Sequence, residues 1–164
     1  MSEESDMSLN IAPAPVRKTL QVKASQARAF EVFTAGFARW WPASHSIGKS
    51  PLKDAIMEPQ VGGRWYERGE DGSECDWGRV LAWEPPARLV LSWQLSAQWK
   101  FDPDLRTEVE VRFIPEGDRL TRVEFEHRGL ENYGEQAEAV RKSISSPGGW
   151  PGILEAYAAA AAAA

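Results

Sequence analysis

Apolar and polar residues alternate along this chain with two different periods, and the changes of period mark out its elements. Val16, Leu20 and Val22 stand among polar neighbours and predict a strand over Val16–Lys23. Ser25 occupies a helix-cap position, and Phe30, Phe33 and Phe37 follow on one side of a short helix. Gly36 interrupts that spacing, so a second short helix is expected to carry Trp40 and Trp41 and to end at Pro42. Period-two segments bounded by turn signals come next: Ala55–Pro59, Arg64–Arg68 before EDGSE, Asp76–Trp83 before EPP, and Leu89–Leu95. Two more alternate cleanly, Thr107, Val109, Val111 and Phe113 against charged neighbours, then Val123, Phe125 and His127 beyond the turn PEGD. Each has one wet face and one dry face.

A dry sheet face needs a cover, and Trp150, Ile153, Leu154 and Tyr157 supply one at i, i+3, i+4 and i+7. Gly148 and Gly149 separate this helix from a helical stretch over Glu135–Ser145, and Pro151 suits its first turn. From Trp150 the helix would span about 22 Å, enough to cross the sheet. The seven closing alanines are read as its solvent-facing extension. Residues 1–15, ending in APAP, carry no periodicity and are read as a flexible N-terminal arm, leaving 16–164 as a single α+β domain.

Composition narrows the partners. A net charge of −5 with no basic stripe argues against nucleic acid and against an anionic membrane surface. The polar, acidic MSEESDMSLN has no apolar run behind it, so no signal peptide or membrane anchor is expected. Cys75 is the only cysteine, which excludes an intramolecular disulfide; with the missing signal, this gives a cytoplasmic reading.

The words FARWWP, EPQVGGRWYERGEDGSE, WGRVLAWEPPARLVLSW, TEVEVRFIPEG, VEFEHRGL and GGWPGILEAYA resemble the START-like, or SRPBCC, superfamily. Within it they are most similar to the branch named for activators of the ninety-kilodalton heat-shock-protein ATPase, over roughly residues 16 to 160. The resemblance implies a helix-grip fold, a curved antiparallel sheet wrapped around the last helix with a cavity between them. It also implies a range of functions, since relatives cyclise polyketides or bind and inactivate reactive natural products. The chaperone activators carry an additional N-terminal domain to which nothing here corresponds, so the reading argues against a chaperone partner.

The eight tryptophans are the first candidate chemistry. Trp41, Trp65, Trp77, Trp93 and Trp99 are candidates to line a pocket for an aromatic ligand, while plugging the space between sheet and helix is the alternative use of large rings. For Trp40 and Trp150 helical spacing alone favours the core. Adjacent helical positions diverge by about 100°, so Trp40 is expected in the core and Trp41 at the cavity mouth. Trp99, between SAQ and KFDPD, reads as a lid at a sheet edge.

Alternation pairs Trp65 with Glu67 on one face and Trp77 with Arg79 on one face. One phase places Glu67, Arg79 and His127 inside an apolar cup; the other leaves both charged residues in water. His45 and His127 lack metal-ligand spacing, so no metal is expected. GxSxG, GxGxxG and GxxxxGK[ST] are all absent, which leaves no support for a serine elbow, a dinucleotide or ATP, and no cofactor is expected. The first functional reading is a module that binds a small hydrophobic or aromatic molecule. The second is a cyclase- or hydrolase-like enzyme using Glu67, Arg79 or His127, and the third is a partner-binding regulator.

Overall fold

A computed structural model describes residues 14–163, so the arm expected over residues 1–15 lies almost wholly outside the described residues. Seven strands form one antiparallel sheet: β1 (Val16–Val22), β2 (Leu52–Met57), β3 (Arg64–Gly69), β4 (Glu74–Glu84), β5 (Arg88–Trp93), β6 (Thr107–Gly117) and β7 (Leu120–Arg128). Their order across the sheet is β1-β7-β6-β5-β4-β3-β2. Only β1 leaves its sequence neighbour, and it does so because α1 (Gln26–Phe33) and α2 (Phe37–Trp40) intervene before β2. Ser25 caps α1 as expected, its Oγ accepting the Arg28 N–H at 3.2 Å.

Burial along β7 alternates without a break, Thr121, Val123, Phe125 and His127 facing in. The same phase runs through β6 and β5, where Val111 lies opposite both Leu89 and Phe125. The phase breaks at the centre of β4, and again just beyond it between Val80 and Ala82. Trp65 pairs with Gly78 and Tyr66 with Asp76, which leaves Trp77 as an extra residue in a β-bulge. Gly78 suits this spot because a Cβ there would lie 2.0 Å from the Ser92 carbonyl oxygen of β5.

The sheet curls around the last helix. After a 3₁₀ turn (Leu130–Gln136) and α3 (Ala137–Ile144), α4 (Trp150–Ala163) crosses the dry face with Trp150, Ile153, Leu154 and Tyr157 buried. Tyr157 bonds the Ala29 carbonyl of α1 at 2.7 Å and packs edge-on against Phe33 and Trp40. Ala161 is buried too, which corrects the reading of the alanine run as a solvent-facing extension: it lies one turn beyond Tyr157 on the same stripe. This is the helix-grip fold. No helix among the described residues is long and apolar enough to cross a membrane.

Candidate functional site

Between the first turns of α4 and the strands β4 and β5 lies a cavity of about 420 Å³, within the ordinary range for small-molecule pockets. Its walls are aromatic. Trp77 comes from β4, Trp93 from the end of β5, Trp41 from the end of α2, Trp150 from α4 and Trp99 from the loop after β5. Trp41, Trp77, Trp65, Trp93 and Trp150 form a closed circuit of ring contacts, with centroid separations of 4.9, 5.3, 5.7, 5.3 and 6.0 Å in that order back to Trp41. Trp65 belongs to the circuit but not to the cavity lining; it sits behind the wall, fully buried.

The two adjacent tryptophans of FARWWP take different directions, one into the core and one into the cavity wall. Trp40 packs between Phe33, Phe37 and Tyr157 and donates its Nε1–H to the Val32 carbonyl at 2.8 Å. Trp41 turns to the cavity, stacked on Phe37, and its buried Nε1–H has no acceptor among the described residues. Trp150, assigned by spacing to the core alone, also faces the cavity; a stripe that covers a hollow sheet meets both packed side chains and open space.

Glu67 faces inward and is buried, yet it does not line the cavity. Its Oε1 accepts the Ile47 N–H at 2.9 Å and the Trp77 Nε1–H at 3.1 Å. Its Oε2 accepts the Ser46 hydroxyl at 2.8 Å and the Gly48 N–H at 3.1 Å. Four donors on two oxygens compensate the burial of a carboxylate and tie the loop after the 3₁₀ turn (Ala43–His45) to the sheet. Arg79 does not join it. The bulge at Trp77 advances the phase by one residue, so Trp77 and Val80 point in while Arg79 stands opposite Arg64 on the exposed outer face. The expectation that Trp77 and Arg79 share a face is thereby corrected.

His127 is buried and fully partnered. The Trp150 Nε1–H donates to its Nδ1 at 3.0 Å, which assigns the ring proton to Nε2, and Nε2–H points to Thr107 Oγ1 at 3.2 Å. The Thr107 hydroxyl in turn donates to the Trp93 carbonyl. Burial holds this imidazole down to about 3, so it stays neutral and positions Trp150 and Trp93. Tyr133 donates to the carbonyl of the lining residue Leu95 at 2.6 Å, and burial pushes its hydroxyl up to about 12. Burial, reinforced by the carboxylates of Glu67, Asp76 and Asp71, also raises the Cys75 thiol, which is therefore no ready nucleophile.

The polar part of the lining consists of groups that sequence reasoning passed over: Ser44, His45, Ser46, Ser143 and Ser146. His45 closes one side of the cavity. Its Nε2 lies 2.7 Å from the Gly148 carbonyl, which can only accept, so Nε2 carries the proton and Nδ1 accepts from Ser44 Oγ at 3.1 Å. The signal available was position alone, a histidine four residues past a cavity-facing tryptophan; nothing local shows that Gly148 lies across from it. Trp99 adopts φ = 62°, rare for a side chain of that size, and stands edge-on to Trp93 at the exposed rim. Among the described residues no group of three or more His, Cys, Asp or Glu side chains is arranged to hold a metal ion.

A family model described as "Activator of Hsp90 ATPase homolog 1-like protein" matches residues 23–161. Among solved structures, an anthrahydroquino-gamma-pyrone synthase is 41% identical, with 90% of this chain and 96% of that one covered and a TM-score of 0.64. CalC, a self-sacrificing resistance protein from Micromonospora echinospora, is 33% identical, with 90% and 93% covered and a TM-score of 0.68. A Nitrosomonas europaea protein at 12% identity and a TM-score of 0.65, covering 90% of this chain and 93% of its own, shares the fold. No curated protein sequence matches significantly. With the family model spanning β2 to β7 and most of α4, the chain belongs to the family of activator of Hsp90 ATPase homolog 1-like proteins, within the SRPBCC superfamily.

Proposed function

We propose that the cavity binds a planar, polycyclic aromatic compound of the polyketide type. The observation that carries this is the lining: five indole rings around about 420 Å³, with polar side chains supplied by Ser44, His45, Ser46, Ser143 and Ser146 alone. Large flat π-surfaces favour stacked and edge-on contact with another aromatic system, and few polar groups are needed to orient it. The relative at 41% identity supports this reading by its name, an anthrahydroquino-gamma-pyrone synthase; the one at 33% is named a self-sacrificing resistance protein.

The 41% identity to that synthase supports a second reading, in which the bound compound undergoes ring closure inside the cavity. The walls would hold a flexible substituent folded over the ring system, which is catalysis by orientation. One experiment addresses both. Hydroxyanthraquinones are titrated against intrinsic tryptophan fluorescence and the melting temperature, and compounds co-purifying with the native protein are identified by mass spectrometry before and after incubation. Saturable quenching with a raised melting temperature supports binding, worth about 2.7 kcal/mol at a hundredfold excess over Kd. Recovery of a ring-closed product, of equal mass or lighter by one water, supports the enzyme; unchanged recovery supports the binding module. Absence of quenching and of stabilisation across the panel refutes the aromatic-ligand reading.

A further inference from the structure

We propose that His45 is the proton acceptor of this cavity, placed to take the phenolic proton of a hydroxyanthraquinone-type ligand; the proposal rests on the aromatic-ligand reading above. Among the described residues that line the cavity, His45 is the single titratable side chain, the others being tryptophan, serine, isoleucine, leucine and glycine. The two groups that sequence reasoning favoured for acid–base work are engaged elsewhere. Both oxygens of Glu67 are taken by the loop and by Trp77, and both nitrogens of His127 are taken by Trp150 and Thr107.

The geometry around His45 suits a base. The Gly148 carbonyl holds the proton on Nε2 and fixes the ring, as an orienting group does for a catalytic imidazole, and this leaves Nδ1 as the lone-pair nitrogen. The partner of Nδ1 is the hydroxyl of the adjacent, exposed Ser44, which can rotate to water when a stronger donor arrives. A phenol is such a donor. Trp41, whose ring centroid lies 6.1 Å from that of His45, offers a flat surface next to it for the body of the ligand.

The step balances within the pair. The phenol O–H bond breaks, its electrons stay on oxygen and delocalise into the ring system, and the proton forms a new bond to Nδ1. The Nε2–H remains on the Gly148 carbonyl, so the product is an imidazolium hydrogen-bonded to a phenolate. Return of the proton restores both. No oxidant or co-reactant is required, and the phenolate is a stronger oxygen nucleophile than the phenol for any ring closure that follows.

The test uses 2-hydroxyanthraquinone, whose phenolate absorbs at longer wavelength than its phenol, added to the whole protein at a pH where the free probe is protonated. Tryptophan quenching reports binding, and the visible spectrum reports ionisation. The expected result is saturable quenching with a red shift, the midpoint of the bound probe falling by about one unit, tenfold in ionised fraction. His45→Gln keeps an amide donor for Gly148 but cannot take a proton; affinity should stay within about tenfold while the red shift disappears. In the wild type, the ring proton resonances of His45, one of two histidines in the chain, should move to imidazolium positions on binding, a readout independent of any variant's folding. Quenching without a red shift, or a red shift that survives in His45→Gln, overturns the role of His45 while leaving the aromatic-ligand reading intact. No quenching at all overturns both.

Discussion

Replacing Glu67 by glutamine should loosen one wall of the cavity while leaving the rest of the sheet in place. Glutamine is the same size, but one of its two terminal atoms can no longer accept. The least costly orientation keeps the amide oxygen on Ile47 N–H and Trp77 Nε1–H, and turns the NH₂ toward Ser46 and Gly48. The Ser46 hydroxyl can reverse its role and accept, whereas the Gly48 N–H is left without a partner. One orphaned donor costs about 1–3 kcal/mol, and two bonds weakened from charged to neutral acceptors add about 1 kcal/mol each; relief of the buried charge offsets part of this. A net loss of about 2–4 kcal/mol corresponds to a fall of about 4–16 °C in melting temperature for a domain of this size. Denaturant melts give the stability, and native-state hydrogen exchange gives the location: Ile47 and Gly48 amides should lose protection while those of β6 and β7 keep theirs. A variant within about 0.5 kcal/mol of wild type, with Ile47 and Gly48 still protected, refutes the assignment of Glu67 as the tie between loop and sheet.

Three further outcomes follow from other parts of the molecule. His127 is held near 3 against an ordinary value of 6.5, so the unfolded chain takes up a proton that the fold refuses; its contribution is complete above pH 6.5 and is lost as pH falls toward 3, at up to about 1.4 kcal/mol per pH unit. Stability measured against pH should therefore lose one proton's worth of slope in that window in His127→Gln, and an unchanged slope contradicts a buried neutral ring. Trp99→Gly relieves the positive φ and removes the rim, so stability should stay within about 1 kcal/mol while affinity for an aromatic probe falls about tenfold or more; unchanged affinity in fluorescence titration argues against a rim contact. Gly78→Ala drives a methyl group into the Ser92 carbonyl and should unfold the protein or lower its melting temperature by well over about 5 °C; a wild-type melt argues against the close approach of β4 and β5.

How far the sequence could be read depended on how local each signal was. The strands and α4 are legible because a period of two or 3.6 is written within one segment, and even the cover over the sheet follows from Trp150, Ile153, Leu154 and Tyr157. Ends were less clear: β2 begins at Leu52 rather than Ala55, since pairing with Gly69 extends it beyond its apolar residues. That Glu67 shares a face with Trp65, two residues away, was legible, but alternation alone left open which face turns inward. The face of Arg79 was not legible, because a bulge is decided by the pairing of two strands; Gly78 inside a strand was its one visible sign. His45 was invisible as a site residue for a similar reason, since its place depends on Gly148, 103 residues away.

The circuit of five indoles also has an optical consequence. Rings whose centres are 4.9–6.0 Å apart are close enough to pass excitation from one to the next, so Trp41, Trp65, Trp77, Trp93 and Trp150 are expected to emit as a coupled set. An acceptor seated against any one of them should then quench more than that ring's own share of the emission. Intrinsic emission then amplifies occupancy, and no single tryptophan substitution silences the signal, so ring-by-ring replacement tracks contact geometry without disabling the detector.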